Sequence, residues 1–391
     1  MEHRHGDAAK GTGLLSRIER ALGTGTAAYL PGAGWIRLTL PLDDGGPAPV
    51  TVDVVADTAR APQGIVYLLP GGGLNFAADF FTPGGPGGPG GHHLAHTLRR
   101  RGFLVVGVTP REDAAAAADI TADRGMEAYR RDLSGVVRAL DSLLELPYTY
   151  AGHSAGALLA LDAASHDTCP RLRRVVALDT TGPYTGELAE RAAATRDAYA
   201  TQLAQGVTTV DPGLAAVVAK AVADPDGVSA APWPPDPSLR FTHAGLAHFA
   251  LVRTASLPGP ANWIYVRGHA AGSHAFGSSP AEDRFTLAHT PLPVWHAATS
   301  ALGSGLVPTA LMRDLAAVWA GDGELYAIAW DRIRAEVAWV NTELGRGDHP
   351  RGAELIRKGG NDRVSFGVVP GYGHGDAVWG SRAAADVWSR F

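Results

Sequence analysis

The chain has 391 residues, of which 46% are hydrophobic, so it is long and apolar enough to bury a sizeable core. Its formal net charge is −5, which excludes the strongly basic balance typical of proteins that bind nucleic acid or anionic membranes. Its single cysteine, Cys169, excludes an internal disulfide framework and a multi-cysteine metal site.

The N-terminal residues 1–10 are polar and lack the apolar segment of a secretory signal. The sequence has no run of about 18 apolar residues, so we expect no membrane span. Together with the lone cysteine, these features favour a cytoplasmic protein. The sequence leaves the oligomeric state open.

The first part of the chain predicts a helix, a hairpin and a buried strand. Residues 14–22 have the spacing of a short amphipathic helix. Residues 35–40 and 50–55 alternate in polarity, which predicts two strands of an opening hairpin. The continuous apolar run 65–69 is typical of a strand buried on both faces. Residues 82–91 are almost entirely glycine and proline, which predicts an irregular loop.

Strands and helices then alternate up to residue 180. Helices are predicted at 92–101, 125–146 and 155–165, and strands at 103–108, 148–151 and 174–178. This alternation predicts an α/β fold with a parallel sheet and helices on both faces.

The alternation stops near residue 183, and we interpret residues 184–289 as an inserted, mainly helical cap. The cap contains alanine-rich helical stretches at 187–205 and 213–223 and a proline-rich linker at 231–237. Residues 1–183 and 290–391 then form the core.

We expect the sheet to resume after the cap. Residues 293–297 are the candidate for the returning strand, and residues 363–369 for the last strand. The closing helix is predicted over residues 377–390.

The most informative motif is Gly152-His153-Ser154-Ala155-Gly156, between a predicted strand and a predicted helix. G-x-S-x-G in this context predicts a nucleophile elbow, in which a sharp turn exposes the serine hydroxyl above the sheet. The glycines at 152 and 156 leave room for the strand and helix to pass close together. The alternative interpretation is a structural turn.

A serine hydroxyl needs a histidine to accept its proton and an acid to orient that histidine. His374 follows the last predicted strand and is the candidate base. Asp179 ends the strand after the elbow and is the candidate acid, although it could instead cap a turn. Asp331 and Glu324 are alternative acids.

The tetrahedral oxyanion formed by attack on a carbonyl needs N–H donors. We expect these from Ala155, which follows the serine, and from Gly72 and Gly73 in the run 71–74. A glycine run could also cradle phosphate, but the sequence has no P-loop or dinucleotide motif to accompany it.

Histidines could also bind a metal. His269 and His274 lie five residues apart, and His92, His93 and His96 cluster on one predicted helix. No H-E-x-x-H motif and no cysteine pair accompany them, so we expect no metal and no cofactor.

Aromatic residues are frequent in and near the cap. Trp233, Trp263 and Trp295 either line an apolar cleft or pack in a core.

With these motifs, the chain resembles the α/β-hydrolase superfamily over residues 30–183 and 290–391. The resemblance implies an eight-stranded, mostly parallel sheet with Ser154 as nucleophile and His374 as base. Residues 70–73 look like the oxyanion loop of relatives with His-Gly-Gly-Gly, with proline in place of the histidine. The stretch from Leu178 to Pro183 is similar to the lipase branch, in which that aspartate is the acid. Residues 299–305, where many relatives place the acid, contain no carboxylate.

These features predict a serine hydrolase that cleaves an ester, thioester or lactone of a fairly bulky, apolar small molecule. Two alternatives stay open. The same groups could serve acyl transfer, C–C cleavage, cyclisation or elimination, or the chain could be a non-catalytic binding module. The sequence identifies no particular substrate.

Overall fold

A computed structural model of the protein describes residues 5–22, 26–30, 33–40, 42, 46–57, 59–81 and 93–390. The strands are β1 (Thr26–Leu30), β2 (Ala33–Leu40), β3 (Val50–Asp57), β4 (Gly64–Leu69), β5 (Phe103–Thr109), β6 (Tyr148–His153), β7 (Leu172–Leu178), β8 (Thr209–Val210), β9 (Val228–Trp233), β10 (Asp236–Thr242), β11 (Gly272–Ala275), β12 (Arg284–Leu287), β13 (Val307–Pro308), β14 (Glu336–Thr342) and β15 (Val364–Val369).

The α-helices are α1 (His5–Leu22), α2 (Leu94–Arg100), α3 (Met126–Leu144), α4 (Ala155–His166), α5 (Glu187–Ala204), α6 (Leu214–Ala223), α7 (His243–Val252), α8 (Leu292–Ser300), α9 (Thr309–Ala320), α10 (Arg351–Lys358), α11 (Asp376–Trp379) and α12 (Ala383–Asp386). Among the described residues, no helix is both long and apolar enough to cross a lipid bilayer.

The central sheet has the strand order β1-β2-β3-β5-β4-β6-β7-β14-β15. The last six strands of this order are parallel, and β3 joins them antiparallel through β5. The expected mostly parallel, eight-stranded arrangement is therefore confirmed. A further short strand, β1, pairs with β2 at the edge of the sheet.

The core lies on both faces of this sheet, as expected for parallel strands between two helical layers. Successive residues of β4 point to opposite faces, so Tyr67 and Leu69 join one buried cluster while Val66 and Leu68 join the other. The first cluster also contains the elbow helix α4, and the second contains the C-terminal helices.

Three predicted elements of the second half are wrong. Residues 293–297 lie in α8, not in a strand, because Pro293 fits the first turn of a helix. Most of the expected linker 231–237 is a two-stranded ribbon, β9 with β10, in which Pro232 occupies an edge strand. The expected closing helix is broken into α11, α12 and a final 3₁₀ turn.

The sheet resumes only at β14, so the chain between β7 and β14 lies outside it. Within this long excursion, α5 packs against α9, and α6 packs against α7 and α8. The boundaries 184–289 of the cap stay a prediction. The glycine- and proline-rich segment 82–91 lies outside the described residues.

Candidate active site

Ser154 stands at the junction of β6 and α4, with φ 57° and ψ −119°. A positive φ is unusual for a residue with a Cβ atom, and strain of this kind is typical of the sharp turn at a nucleophile elbow. The side chain is half-buried, so it remains partly exposed. The predicted strand–turn–helix context is therefore present.

The two glycines of the motif are required by the close approach of β6 and α4. A Cβ atom on Gly152 would lie 2.1 Å from the carbonyl oxygen of Gly156. A Cβ atom on Gly156 would lie 2.1 Å from the carbonyl oxygen of Leu69, in the neighbouring strand β4. Both contacts involve backbone atoms, which have little freedom to move away.

His374 and Asp179 meet at the same edge of the sheet. His374 follows β15, Asp179 follows β7, and Nδ1 of the imidazole lies 2.5 Å from Oδ2 of the carboxylate. The other carboxylate oxygen, Oδ1, accepts hydrogen bonds from the backbone N–H groups of Thr342 at 2.6 Å and Arg346 at 3.2 Å. The carboxylate is thereby fixed in position.

The alternative acids lie elsewhere. Asp331 and Glu324 are both exposed. Asp331 packs against Gly359, so it lies near the amino ends of β14 and β15, whereas His374 lies at the carboxyl end of β15. Of the three carboxylates considered from the sequence, the structure brings Asp179 to His374.

Burial has opposite effects on the two partners. It lowers the pKa of His374 well below the usual value for histidine, and the positive charge of Arg346 lowers this pKa further. Burial also raises the pKa of Asp179, although Arg346 opposes that shift. His374 is therefore neutral at neutral pH, with Nδ1–H donated to Asp179 and Nε2 able to accept a proton.

The glycine run after β4 lies against the elbow. A Cβ atom on Gly71 would be 3.3 Å from Cβ of Ser154, and one on Gly72 would be 3.8 Å from Cβ of Ala155. Gly73 has φ 74°, a conformation that favours glycine. Within the described residues, the N–H groups of Gly72, Gly73 and Ala155 donate no hydrogen bond. They are therefore available to an oxyanion.

Comparison with solved structures identifies the fold. The chain is similar to a candidate lipase from Sulfolobus solfataricus, with a TM-score of 0.59, 15% identity, and coverage of 93% of this chain and 96% of that one. The protein has the α/β-hydrolase fold. A carboxyl esterase from Bacillus coagulans matches with a TM-score of 0.47 and 14% identity, over 87% of this chain and 91% of that one. No protein-family model and no curated protein matches the chain.

His153, the residue before Ser154 in the G-x-S-x-G motif, connects two loops of the site. Its Nδ1 lies 3.1 Å from Oδ1 of Asp79, and its Nε2 lies 3.3 Å from the carbonyl oxygen of His374. Asp79 also accepts a hydrogen bond from the N–H of Gly71 at 2.8 Å. His153 and Asp79 thereby join the glycine run to the loop that carries His374. The sequence analysis missed both residues.

Both ring nitrogens of His153 face acceptors, a carboxylate and a carbonyl, so only the protonated imidazolium donates to both. Burial acts to lower the pKa of His153, but the charge and hydrogen bond of Asp79 outweigh it, and the pKa is raised. The geometry and the pKa direction agree on a cationic His153 beside a neutral His374. The two rings are tilted by 32° relative to each other, with centroids 4.5 Å apart.

Arg346, in the loop after β14, is the other residue that the sequence analysis missed. Its Nη2 donates a hydrogen bond to Oγ of Ser154 at 3.3 Å. Among the described residues, Ser154 Oγ has no hydrogen bond with His374. The sequence feature that could have indicated Arg346 is its position just beyond a buried strand. This feature was not used, because the sequence analysis expects the sheet to resume at residues 293–297.

Residues from the excursion between β7 and β14 cover the site. The backbone of residues 266–268 pairs with that of residues 344–345, and Gly375 N–H donates to the His269 carbonyl at 2.7 Å. These contacts bring the rings of Tyr265 and His269 to 5.2 and 5.7 Å from the ring of His374. Burial lowers the pKa of His269 to about 3, so His269 is neutral there.

The tryptophans considered for a cleft, and His269 and His274 considered for a metal, lie in different surroundings. Trp233 and Trp295 are buried, and Trp263 donates its indole N–H to Thr195 at 2.8 Å. His269 contacts His374, whereas His274 lies in an aromatic cluster with Phe249 and Phe276.

Within the described part of the chain, no three histidine, cysteine or acidic residues are grouped so as to hold a metal ion. His92 lies outside the described residues, so its relation to His93 and His96 stays open.

Proposed function

We propose that the protein is a serine hydrolase that cleaves an ester, thioester or lactone through a covalent acyl-enzyme. The observation that carries the proposal is the 2.5 Å contact between His374 and Asp179 at the sheet edge where the strained Ser154 also lies. In this proposal Ser154 is the nucleophile, His374 the general base and Asp179 the residue that orients the base. The α/β-hydrolase fold supports it, because the elbow has the position that this fold gives a nucleophile.

The reaction proceeds in two steps. In the first, Oγ of Ser154 forms a bond to the carbonyl carbon while its proton passes to Nε2 of His374. The bond to the leaving oxygen or sulfur then breaks, and His374 returns the proton to it. In the second, His374 removes a proton from water as its oxygen bonds to the acyl carbon. The bond between that carbon and Oγ then breaks, and His374 returns the proton to Oγ of Ser154. The acid product carries one oxygen from water.

The oxyanion of each tetrahedral intermediate is held by N–H groups. Ala155, Gly72 and Gly73 are the proposed donors, because their N–H groups have no other acceptor among the described residues. Losing one such donor typically costs about 3 kcal/mol of transition-state stabilisation. Asp79 fixes Gly71, and thereby the start of the donor loop.

The fairly bulky, apolar substrate expected from the sequence stays a prediction. It rested on a long cap with aromatic residues, and two of the tryptophans that could line a cleft, Trp233 and Trp295, are buried, so they give it less support. The cytoplasmic location and the absence of a cofactor also stay predictions.

The decisive experiment is to label the wild-type protein with a fluorophosphonate probe and to assay it on short and long 4-nitrophenyl esters. Ser154→Ala should abolish labelling and lower turnover by about 10⁴- to 10⁶-fold. Folded wild-type protein that is not labelled would favour the binding-module alternative. Retained hydrolysis in Ser154→Ala would refute the role of Ser154.

Hydrolysis is separated from acyl transfer or lyase chemistry by running the reaction in ¹⁸O-labelled water. One labelled oxygen in the acid product supports the proposal. An unlabelled product would favour the non-hydrolytic alternative.

A further inference from the structure

The guanidinium of Arg346 has an incomplete set of partners. The residue is only 4% exposed, and Nη2 donates to Oγ of Ser154. The buried Nε and Nη1 atoms have no hydrogen-bond acceptor within 3.5 Å among the described residues, although the Tyr265 hydroxyl is close enough for Arg346 to oppose the rise of its pKa. Because leaving a buried donor unsatisfied costs about 1–3 kcal/mol, and more for a charged group, this arrangement requires an explanation.

No carboxylate of the described residues forms an ion pair with Arg346. Asp179 is close enough for the charge of Arg346 to oppose the rise of its pKa, but no hydrogen bond joins its carboxylate to the Arg346 guanidinium. Oδ2 receives His374 Nδ1, and Oδ1 receives two backbone N–H groups. The buried positive charge beside Ser154 therefore has an anionic neighbour, Asp179, but no direct ion pair among the described residues.

The position of the guanidinium is fixed. It lies over the ring of Tyr265, with 4.4 Å from Cζ to the ring centroid, a cation–π arrangement. Tyr265 is itself held because the next residue, Val266, donates its N–H to the carbonyl of Gly345 at 2.7 Å. A charged fork held in this way is suited to bidentate recognition of a carboxylate.

We propose that Arg346 binds a carboxylate on the acyl part of the substrate, so that the preferred acyl groups come from short dicarboxylic acids. This inference rests on the proposed function. The acyl carbon bonds to Oγ, and Nη2 lies 3.3 Å from that atom. Guanidinium–carboxylate bonds are about 2.8 Å long, so the carboxylate lies only a few bonds from the scissile carbonyl.

The acyl side is preferred over the leaving group for a chemical reason. The acyl part is present in both steps, bonded to Oγ of Ser154 from the first attack until deacylation, whereas the leaving group departs in the first. A carboxylate on the acyl part therefore neutralises Arg346 throughout the reaction. The carboxylate also offsets the positive charge of Arg346, which lowers the pKa of His374. The pKa of His374 is therefore higher when substrate is bound, and His374 is then a stronger base.

The first test compares pairs of esters of matched length. Mono-4-nitrophenyl succinate and glutarate carry the carboxylate, and 4-nitrophenyl butyrate and valerate do not. We expect the wild type to prefer the charged esters by roughly ten-fold or more in kcat/KM, the range of one charged contact. Arg346→Met should abolish or reverse this preference. Arg346→Lys, which keeps the charge but loses the fork, should give an intermediate ratio.

The matched control is Arg332→Met, which removes an exposed arginine just before the amino end of β14, whereas Arg346 follows the carboxyl end. It should leave the ratio between charged and neutral esters unchanged. An equal or greater wild-type rate on the neutral esters would overturn the inference. An unchanged ratio in folded Arg346→Met would also overturn it.

A binding measurement separates this inference from the proposed function. Ser154→Ala keeps Arg346, so glutarate should raise its Tm and neutral glutaramide should not. The double variant Ser154→Ala/Arg346→Met should show no shift with glutarate. If glutarate binding requires Arg346 but the wild-type protein hydrolyses no ester, the anion site is supported and the hydrolase proposal is refuted. Ester hydrolysis without glutarate binding or charge preference refutes the anion site alone.

Discussion

Asp179 and His374 are 195 positions apart in the sequence, yet Oδ2 and Nδ1 lie 2.5 Å apart. The contact forms because β7 and β15 flank β14 in the parallel sheet, so the loops after all three strands meet at one edge. Gly345, in the loop after β14, leaves the necessary space, since a Cβ atom there would lie 2.1 Å from Oδ2 of Asp179. The pair therefore depends on the sheet topology and on one glycine.

Asp179→Asn should lower kcat by about 10⁴-fold, because an amide no longer holds the imidazole in the tautomer that presents a free Nε2. The amide oxygen can still accept from Thr342, so the fold should persist, which circular dichroism would check. Asp331→Asn is the matched control and should keep full activity. An active Asp179→Asn protein would remove Asp179 from the proposed mechanism.

Gly156→Ala should destabilise the protein by at least about 1–3 kcal/mol, because its Cβ atom would meet the backbone of β4. Urea unfolding measures this change. Gly323→Ala is the control, since a Cβ atom there has open space around it. Equal stability of the two variants would mean that α4 does not pass β4 as closely as described.

Asp79→Asn tests whether Asp79 positions the oxyanion donors. The change weakens the link to His153 and the anchor of Gly71, and both support the Gly72–Gly73 loop. We expect kcat to fall about 10- to 100-fold with KM nearly unchanged, because oxyanion donors act mainly in the transition state. A rise in KM with unchanged kcat would instead indicate that Asp79 shapes substrate binding.

Much of the fold and site follows from local sequence, and the failures have physical causes. The buried parallel strands β4 and β5 are continuous apolar runs, so they are visible in the sequence, and residues that follow predicted strands, such as His374 and Asp179, can be assigned to one edge. A five-residue run such as 293–297 does not distinguish helix from strand, so the sequence predicts a returning strand where α8 lies. Arg346 was missed because the position of a guanidinium depends on contacts between distant segments.

The pH dependence of kcat/KM should reflect the lowered pKa of His374. Protonation of the base abolishes activity, so the acidic limb should lie below the ordinary histidine value of 6.5. Arg346→Met removes a charge that lowers this pKa, so its limb should move to higher pH, whereas Arg332→Met should not move it. A wild-type limb at or above 6.5 would contradict the environment described for His374.

The free energy of unfolding should also depend on pH through His269. The pKa of His269, about 3, determines the direction of this dependence. The folded state keeps this ring neutral, while the unfolded chain binds a proton below about pH 6.5. The contribution of His269 to stability is therefore constant above that pH and is progressively lost as pH falls toward 3. Each pH unit in this window costs at most about 1.4 kcal/mol, or about 2 kcal/mol at pH 5.

His269→Phe removes this titrating group and keeps an aromatic ring beside His374. Urea unfolding from pH 7 to pH 5 should therefore show a smaller loss of stability for the variant than for the wild type. His96 also has a lowered pKa and contributes equally to each curve, whereas the variant removes one of the charges that lower the pKa of His374 and so reduces the contribution of that residue as well. Parallel curves for the two proteins would mean that His269 is readily protonated in the folded state and does not lie in the buried position found here.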